Sequence, residues 1–238
     1  DCGSDHLIDH NSIEAALTSK TKAIMPVQLN GRVANMAEIN NIAEKYELLI
    51  IEDSCQALGA KFNNQYAGTF GIAGTFSFFP AKTLGCFGDG GAIISNNDDF
   101  AERVRIMRDH GRNPVDGNIS FFGFNGRLDN IQAAILNLKF EYYDEDISKR
   151  RKIASIYQEH LKDIEFLVLP PAPSSDSKNF DIFQNYEIEA EKRDSLRIFL
   201  KKNGVDTIIQ WGGKAIHQFP ELGLGGVLPY TDIMTEKF

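Results

Sequence analysis

Three short apolar runs, KAIMPVQ (22–28), LLIIED (48–53) and GTFSFFP (74–80), are separated by segments with the spacing of helices. Runs that are apolar throughout, rather than at alternate positions, suit strands buried on both faces, as in a parallel sheet. Between the first two, Asn35 followed by Glu38 forms a capping-box pattern, and Met36, Ile39, Ile42, Ala43 and Tyr46 recur at three- and four-residue spacing. A strand, helix, strand unit of this kind implies a right-handed parallel crossover. The order predicts an α/β fold with a mainly parallel sheet sandwiched by helices.

The pattern extends in both directions. Asn11 followed by Glu14 predicts a short helix over IEAALTS (13–19). After GTFSFFP come a Gly-rich loop, GCFGDGG (85–91), a short strand, AIISN (92–96), and a helix capped by Asp98 and running to about Arg108. Residues 110–125 read as an irregular loop. From Arg127 to about Lys162 two helices are expected, broken near Asp146–Ser148, which would serve as a hinge between a large domain (1–145) and a partial small α+β domain (146–238). The latter comprises a Pro/Ser-rich connection, PPAPSSDSKN (170–179), a strand near 182–189, a helix from Glu191 to Asn203 stopped by Gly204, and a strand over VDTIIQW (205–211).

With 238 residues, 42% of them hydrophobic, the chain can bury one substantial core or a large and a small lobe. Lys and Arg number 25 against 33 Asp and Glu, a net charge of -8, so no global basic field attracts nucleic acid or an anionic membrane. The three cysteines, Cys2, Cys55 and Cys86, lack the spacing of a zinc site or a disulfide framework, which fits a reducing cytoplasm. No apolar run approaches the ~20 residues that span a bilayer, and DCGSDHLIDH has neither the charged nor the apolar region of a signal peptide. The chain lacks a starting methionine and closes on TDIMTEKF, a helix start with nothing after it, so a fragment lacking both ends is expected.

The chemistry concentrates in two segments. In IIEDSCQALGA the strand ends in Glu52 and Asp53, with Gln56 three residues on. Ligands bind at the carboxyl ends of strands in open α/β sheets, and a carboxylate there suits a metal, a ribose or a cationic ring nitrogen, or simply caps the next loop. In FSFFPAKTLGCFGDGG, Ser77 sits on a strand and Lys82 follows five residues later, beside aromatic residues that ease desolvation to a nucleophilic amine, the alternative for this motif by itself being a solvated loop lysine. The glycines match neither the Walker pattern nor GxGxxG.

Carboxylate, hydroxyl and loop lysine, in that order, meet the needs of pyridoxal phosphate. Asp53 would pair with the pyridine nitrogen, Ser77 would donate to the phosphate, and Gln56 would contact the ring or its phenolic oxygen. Lys82 would form a Schiff base and then move the proton between the donor's α-carbon and C4′.

Nearly the whole chain resembles the DegT/StrS family of nucleotide-sugar aminotransferases, of the aspartate aminotransferase fold (fold type I). The resemblance rests on TKAIMPVQLNG (21–31), IEDSCQALGA (51–60), GTFSFFPAKTLGCFGDGGAI (74–93), MRDHG (107–111) and FNGRLDNIQAAIL (124–136). It implies the roles given above for Asp53, Gln56, Ser77 and Lys82, and a homodimer in which Asn125 reaches the cofactor phosphate of the partner subunit. A dehydratase branch of the family carries histidine at the Schiff-base position; Lys82 here implies transamination, from glutamate to a keto group of a nucleotide-linked deoxysugar. Gln28 stands where many members have histidine in a VHLYG-like segment. QWGGKAIHQF (210–219) occupies the place of a Tyr-Pro-x-x-x-His-like stretch near the sugar. Gln28, Trp211 and His217 are therefore substrate candidates, the alternatives for the last two being a packed tryptophan and a surface histidine.

The chain departs from the family pattern in what it lacks: the phosphate-binding turn and ring-stacking residue that precede the point matching Asp1. The alternative function is thus a catalytically incomplete member with a structural or regulatory role. A dehydrogenase fits poorly, because no Gly-rich turn with an acidic residue ~20 positions on follows the first strand.

Overall fold

The structure, a computed structural model, describes residues 1–173 and 177–237. Its first elements are α1 (Ile13–Ala16), β1 (Ala23–Ile24), α2 (Met36–Lys45) and β2 (Leu49–Asp53). The start of α1 differs from expectation: Asp9, not Asn11, accepts the Asn11 N–H and opens a 3-10 turn at His10–Ser12 that runs into the helix. At α2 the expected cap is present, with the Asn35 side chain accepting from the Glu38 N–H, and Met36, Ile39 and Ala43 are buried. β1 is shorter than the predicted run, since Pro26 offers no N–H. The line resumes at Val27, which bridges Asp53 in parallel.

Next come the hairpin β3 (Lys61–Phe62) and β4 (Gln65–Tyr66), then β5 (Ala73–Ser77) and β6 (Gly91–Ile94). The main sheet has the order β1-β2-β5-β6. β1, β2 and β5 are parallel, with Asp53 level with Thr75, whereas β6 returns antiparallel beside β5 with Ser77 opposite Gly91. Helix α2 covers one face of this sheet through Met36, Ile39 and Ala43. On the opposite face Met25, Val27, Leu49 and Ile93 are 37% to 64% exposed, so helical cover on both faces, as expected from the sequence, is found on one at these positions.

The buried carboxylate of Glu52 locks the covered face. It accepts from Gln28 Nε2 (2.9 Å), from the backbone N–H groups of Gly68 (2.8 Å) and Phe70 (2.6 Å), and from Gly71 (3.3 Å). One side chain of β2 thereby ties the end of β1 and the loop before β5 to the sheet.

Helix α3 (Asp98–Arg108) is capped by the Asn97 side chain, one residue before the expected Asp98. Residues 110–125 form the expected loop, pinned by backbone bridges at Asp109–Asn125 and Arg112–Ile119. α4 (Asn130–Phe140) and α5 (Tyr143–Leu161) meet at Glu141–Tyr142, so the expected break at Asp146–Ser148 lies inside α5 instead. Asp144, Glu145 and Asp146 occupy its first turn, where carboxylates complement the helix dipole; that acidic run starts a helix rather than ending one.

β7 (Leu167–Val168), β8 (Asn179–Phe180), β9 (Glu189–Ala190), α6 (Arg193–Lys202) and α7 (Pro229–Met234) complete the chain. Of the Pro/Ser-rich connection at 170–179, residues 174–176 lie outside the described residues, as does Phe238. The strand expected near 182–189 is confined to β9, because Phe183 adopts φ 53° and the Ile182 and Gln184 N–H groups donate to Gly31 and Asn30 carbonyls. VDTIIQW forms no strand: Val205 and Ile208 are exposed, and no described strand pairs with them. α6 ends as expected, with Gly204 at φ 81°.

The late segments pack onto the early ones. β8 pairs with β3, while β7 pairs with β9. His6 lies between Glu187 (3.6 Å) and Glu189 (3.2 Å). Burial lowers the His6 pKa, but hydrogen bonds and charge from the two glutamates outweigh it, and the net shift is upward.

Two outcomes follow from this packing. Glu52→Ala leaves its buried donors without an acceptor and should cost at least about 3 kcal/mol in urea unfolding. The raised folded-state pKa of His6 means its stabilisation is complete below the unfolded value of 6.5 and is lost as pH rises through the folded one. His6→Gln should therefore flatten the fall in stability above neutral pH, and an unchanged slope would show that the cluster is uncoupled from folding.

Candidate active site

Side chains alternate across a strand, so anchoring Glu52 on the covered face turns Asp53 to the other. Thr75, level with Asp53 on β5, shares that face, and Ser77 follows two residues later at the strand's carboxyl end. Asp53 Oδ1 accepts a local bond from the Cys55 N–H at 3.1 Å. Ser77 Oγ accepts from the Phe79 N–H at 3.2 Å, leaving its own hydrogen to donate.

Lys82 stands on the turn after β5, its N–H bonded to the Phe79 carbonyl (2.9 Å). The loop closes where the Cys86 N–H meets the Phe78 carbonyl at 2.8 Å. Gly85 permits that closure, for a Cβ there would stand 2.6 Å from the Pro80 carbonyl oxygen. Among the described residues the Lys82 ammonium makes no hydrogen bond or ion pair.

Lys82 and Asp53 lie in one electrostatic neighbourhood, because both act on Cys55. Burial and the adjacent Asp53 raise the Cys55 thiol pKa, while the Lys82 charge opposes them. The site thus brings a carboxylate, a hydroxyl and an unengaged amine together at adjacent strand ends. That donor set fits pyridoxal phosphate: an anion for the ring nitrogen, a hydrogen-bond donor for phosphate and an amine for the aldehyde.

Other candidates are placed differently. Gln56 is at the edge of this group, with Oε1 accepting from the Asn30 N–H at 2.7 Å. Gln28 is fully buried on the Glu52 face, away from the side that Asp53 faces, its amide donating to Glu52 and Met36 Sδ and its carbonyl accepting from the Ala34 N–H. Asn125 is exposed on the 110–125 loop. Trp211 is 83% exposed rather than packed. The side chain of His217 is 7% exposed rather than on the surface, its Nε2 2.8 Å from Asp232 Oδ1, and that bond leads the contacts that lower the Asp232 pKa. No hydrogen bond among the described residues joins Asn125, Trp211 or His217 to Asp53, Ser77 or Lys82.

Residues that sequence reasoning missed hold the lysine loop. Tyr143, at the start of α5, donates to the Leu58 carbonyl (2.7 Å) and contacts Thr83 Oγ1 at 2.9 Å. Burial pushes its phenol up to about 12. Lys139 donates to the Gly85 carbonyl, and Gln132 Oε1 accepts from the Phe87 N–H. Gln184 bonds the backbone on both sides of Lys82. None of these carries a sequence signal, since each acts on a backbone group far away along the chain.

Comparison with known proteins places these features in context. Residues 3–223 match the model of the DegT/DnrJ/EryC1/StrS aminotransferase family. A Geobacillus stearothermophilus protein named a pleiotropic regulatory protein is 44% identical over 205 residues, covering 86% of this chain and 54% of that protein. The UDP-2-acetamido-2-deoxy-3-oxo-D-glucuronate aminotransferase of Pseudomonas aeruginosa is 38% identical over 204 residues, covering 86% and 55%. The chain therefore spans about half the length of these relatives. Among solved structures, a DegT DnrJ EryC1 StrS aminotransferase from Brucella abortus superposes with a TM-score of 0.92 at 34% identity, covering all of this chain and 65% of that one.

Tyr143→Phe removes the bonds to Leu58 and Thr83 and should cost about 1–3 kcal/mol in denaturant unfolding, whereas Tyr142→Phe, at an exposed position, should cost about 0.5 kcal/mol or less. An alkaline absorbance titration should lose its highest-titrating tyrosine in the Tyr143 variant alone.

Proposed function

This chain belongs to the DegT/DnrJ/EryC1/StrS aminotransferase family, and from that premise we propose that it works as a pyridoxal-phosphate-dependent aminotransferase carrying an amino group from glutamate to a keto group of a nucleotide-linked deoxysugar. The observation that carries the reading is the placement of Asp53 and Ser77 on one sheet face, at the ends of adjacent parallel strands, with Lys82 on the loop that follows.

Asp53 would hold the protonated pyridine nitrogen through a charge-assisted bond. Ser77 Oγ would donate to the phosphate, and Gln56, whose Oε1 is committed to Asn30, would meet the ring or its phenolic oxygen through Nε2. Pyridoxal phosphate bound there supplies the electron sink for charge that develops at the donor's α-carbon. Lys82 would hold the cofactor at its aldehyde, and its amine, when free, would carry the proton at the donor's α-carbon. Trp211 offers an exposed indole face to the nucleotide sugar, whereas the His217 ring is engaged with Asp232.

Phe122 is fully exposed and Phe124 69% exposed beside Asn125, forming an apolar surface suited to a second copy of the chain. In the homodimer we propose, Asn125 crosses to the partner's phosphate. A large domain over 1–145 and a small one over 146–238, and a cytoplasmic location, complete the proposal. Among the described residues no helix is long and apolar enough to cross a membrane.

A regulatory role without turnover is the second reading, favoured by the name of the 44% identical relative, a pleiotropic regulatory protein. Incubation with pyridoxal phosphate, borohydride reduction and peptide mass spectrometry should place a pyridoxyl group on Lys82, with none on that peptide in Lys82→Ala. Asp53→Asn should weaken cofactor uptake about tenfold or more. An unlabelled Lys82 in the wild-type chain contradicts the aminotransferase reading. Labelling without amino transfer from glutamate to keto-sugar nucleotides would favour the second.

A further inference from the structure

Gln184 lies 102 positions from Lys82 in the sequence, yet its side chain brackets the lysine in space. Its Oε1 accepts from the Thr83 N–H (2.9 Å) and its Nε2 donates to the Ala81 carbonyl (3.0 Å), one bond on each side of Lys82. A carboxamide carries its donor nitrogen and acceptor oxygen side by side on one planar group, which suits such a pair of backbone groups. We infer that Gln184 is a positioning residue for Lys82, fixing the lysine's loop at a set distance from the strand end that carries Asp53. The inference rests on the aminotransferase reading for its purpose, but its geometry does not.

Gln184 can impose a position because it is itself held. Its N–H donates to the Asn30 carbonyl (2.9 Å), and Arg150 donates to the carbonyls of Phe183 (3.1 Å) and Gln184 (3.2 Å). Phe183 adopts φ 53°, a conformation rarely taken by aromatic residues, which buries its own ring next to the segment. Gly31 lets this segment approach, since a Cβ there would meet Ile182 Cγ1 at 2.6 Å and the Gln184 nitrogen at 2.9 Å. Asn30 then closes the circuit: its N–H donates to Gln56 Oε1 (2.7 Å), three residues after Asp53. A chain of hydrogen bonds therefore runs from the Asp53 loop through Gln56, Asn30 and Gln184 to the Lys82 loop. A ring held at its nitrogen by Asp53 presents its aldehyde at a fixed reach, and that reach is what the circuit would set.

The test has two independent readouts in the 238-residue chain. Without cofactor, Gln184→Ala should raise amide exchange at Thr83 about three- to tenfold, and Gln184→Glu, which keeps the acceptor, should restore much of that protection. With pyridoxal phosphate, the rate of borohydride-trapped labelling at Lys82 should fall several-fold in Gln184→Ala and shift in its pH profile. Asn185→Ala serves as control; it removes the neighbouring bond to Asn30 Oδ1 without touching the lysine's loop. Thr83 exchange unchanged in Gln184→Ala, or altered equally by Asn185→Ala, overturns the inference. Wild-type Lys82 that takes no label, with the exchange pattern as expected, leaves the loop clamp standing and refutes only the aminotransferase reading.

Discussion

The buried carboxylate of Glu52 is the constraint on which the site depends. A carboxylate removed from water must find hydrogen-bond donors, and Glu52 finds them in Gln28, Gly68, Phe70 and Gly71. Those donors exist together only if β1, β2 and the loop before β5 are assembled in one register. Because a strand's period is two, locking Glu52 inward forces Asp53 outward, and a slip of one residue would exchange the two carboxylates. Two adjacent acidic residues thus take opposite faces, Glu52 holding the sheet and Asp53 turned to the other side.

The lysine's loop obeys a different logic. It lies beyond the sheet, where no ladder of strand bonds fixes it, and its backbone groups are taken up by side chains from elsewhere. Tyr143 contacts Thr83, Gln184 bonds Ala81 and Thr83, Lys139 caps the Gly85 carbonyl, and Gln132 takes the Phe87 N–H. α4, α5 and the segment after β8 each contribute. Among the described residues the Lys82 amine is left unengaged while the peptide groups around it are occupied, an arrangement that fixes the root of the side chain and spares its tip.

This contrast explains how much could be read from the sequence. β2, β5, the Asn35 cap and the buried face of α2 follow from local pattern, and so does the order of Asp53, Ser77 and Lys82. Long-range partners leave no such trace. Gln28 resembled a substrate residue by position, but its surroundings make it the donor that holds Glu52. The acidic run at Asp144–Asp146 suggested a break because charge density alone does not distinguish the first turn of a helix from a loop. VDTIIQW has the composition of a strand, yet composition cannot supply the neighbouring strand that its N–H and C=O groups would need.

The contacts between early and late segments bear on how a site of this kind can be stable. Asn30 at φ 55° and Phe183 at φ 53° face each other across the contact, and strained non-glycine residues persist only where their surroundings over-determine them. Here that over-determination comes from Arg150 on the Phe183 and Gln184 carbonyls and from Gln56 on the Asn30 N–H, while Asn185 and Gln210 bond only the Asn30 side-chain Oδ1. Loosening the later segment would therefore release strain at Asn30 and free the Gln56 end and the Lys82 end together. The geometry of the site is consequently a property of the contact between the two parts of the chain, and neither the sheet alone nor the lysine's loop alone can set it.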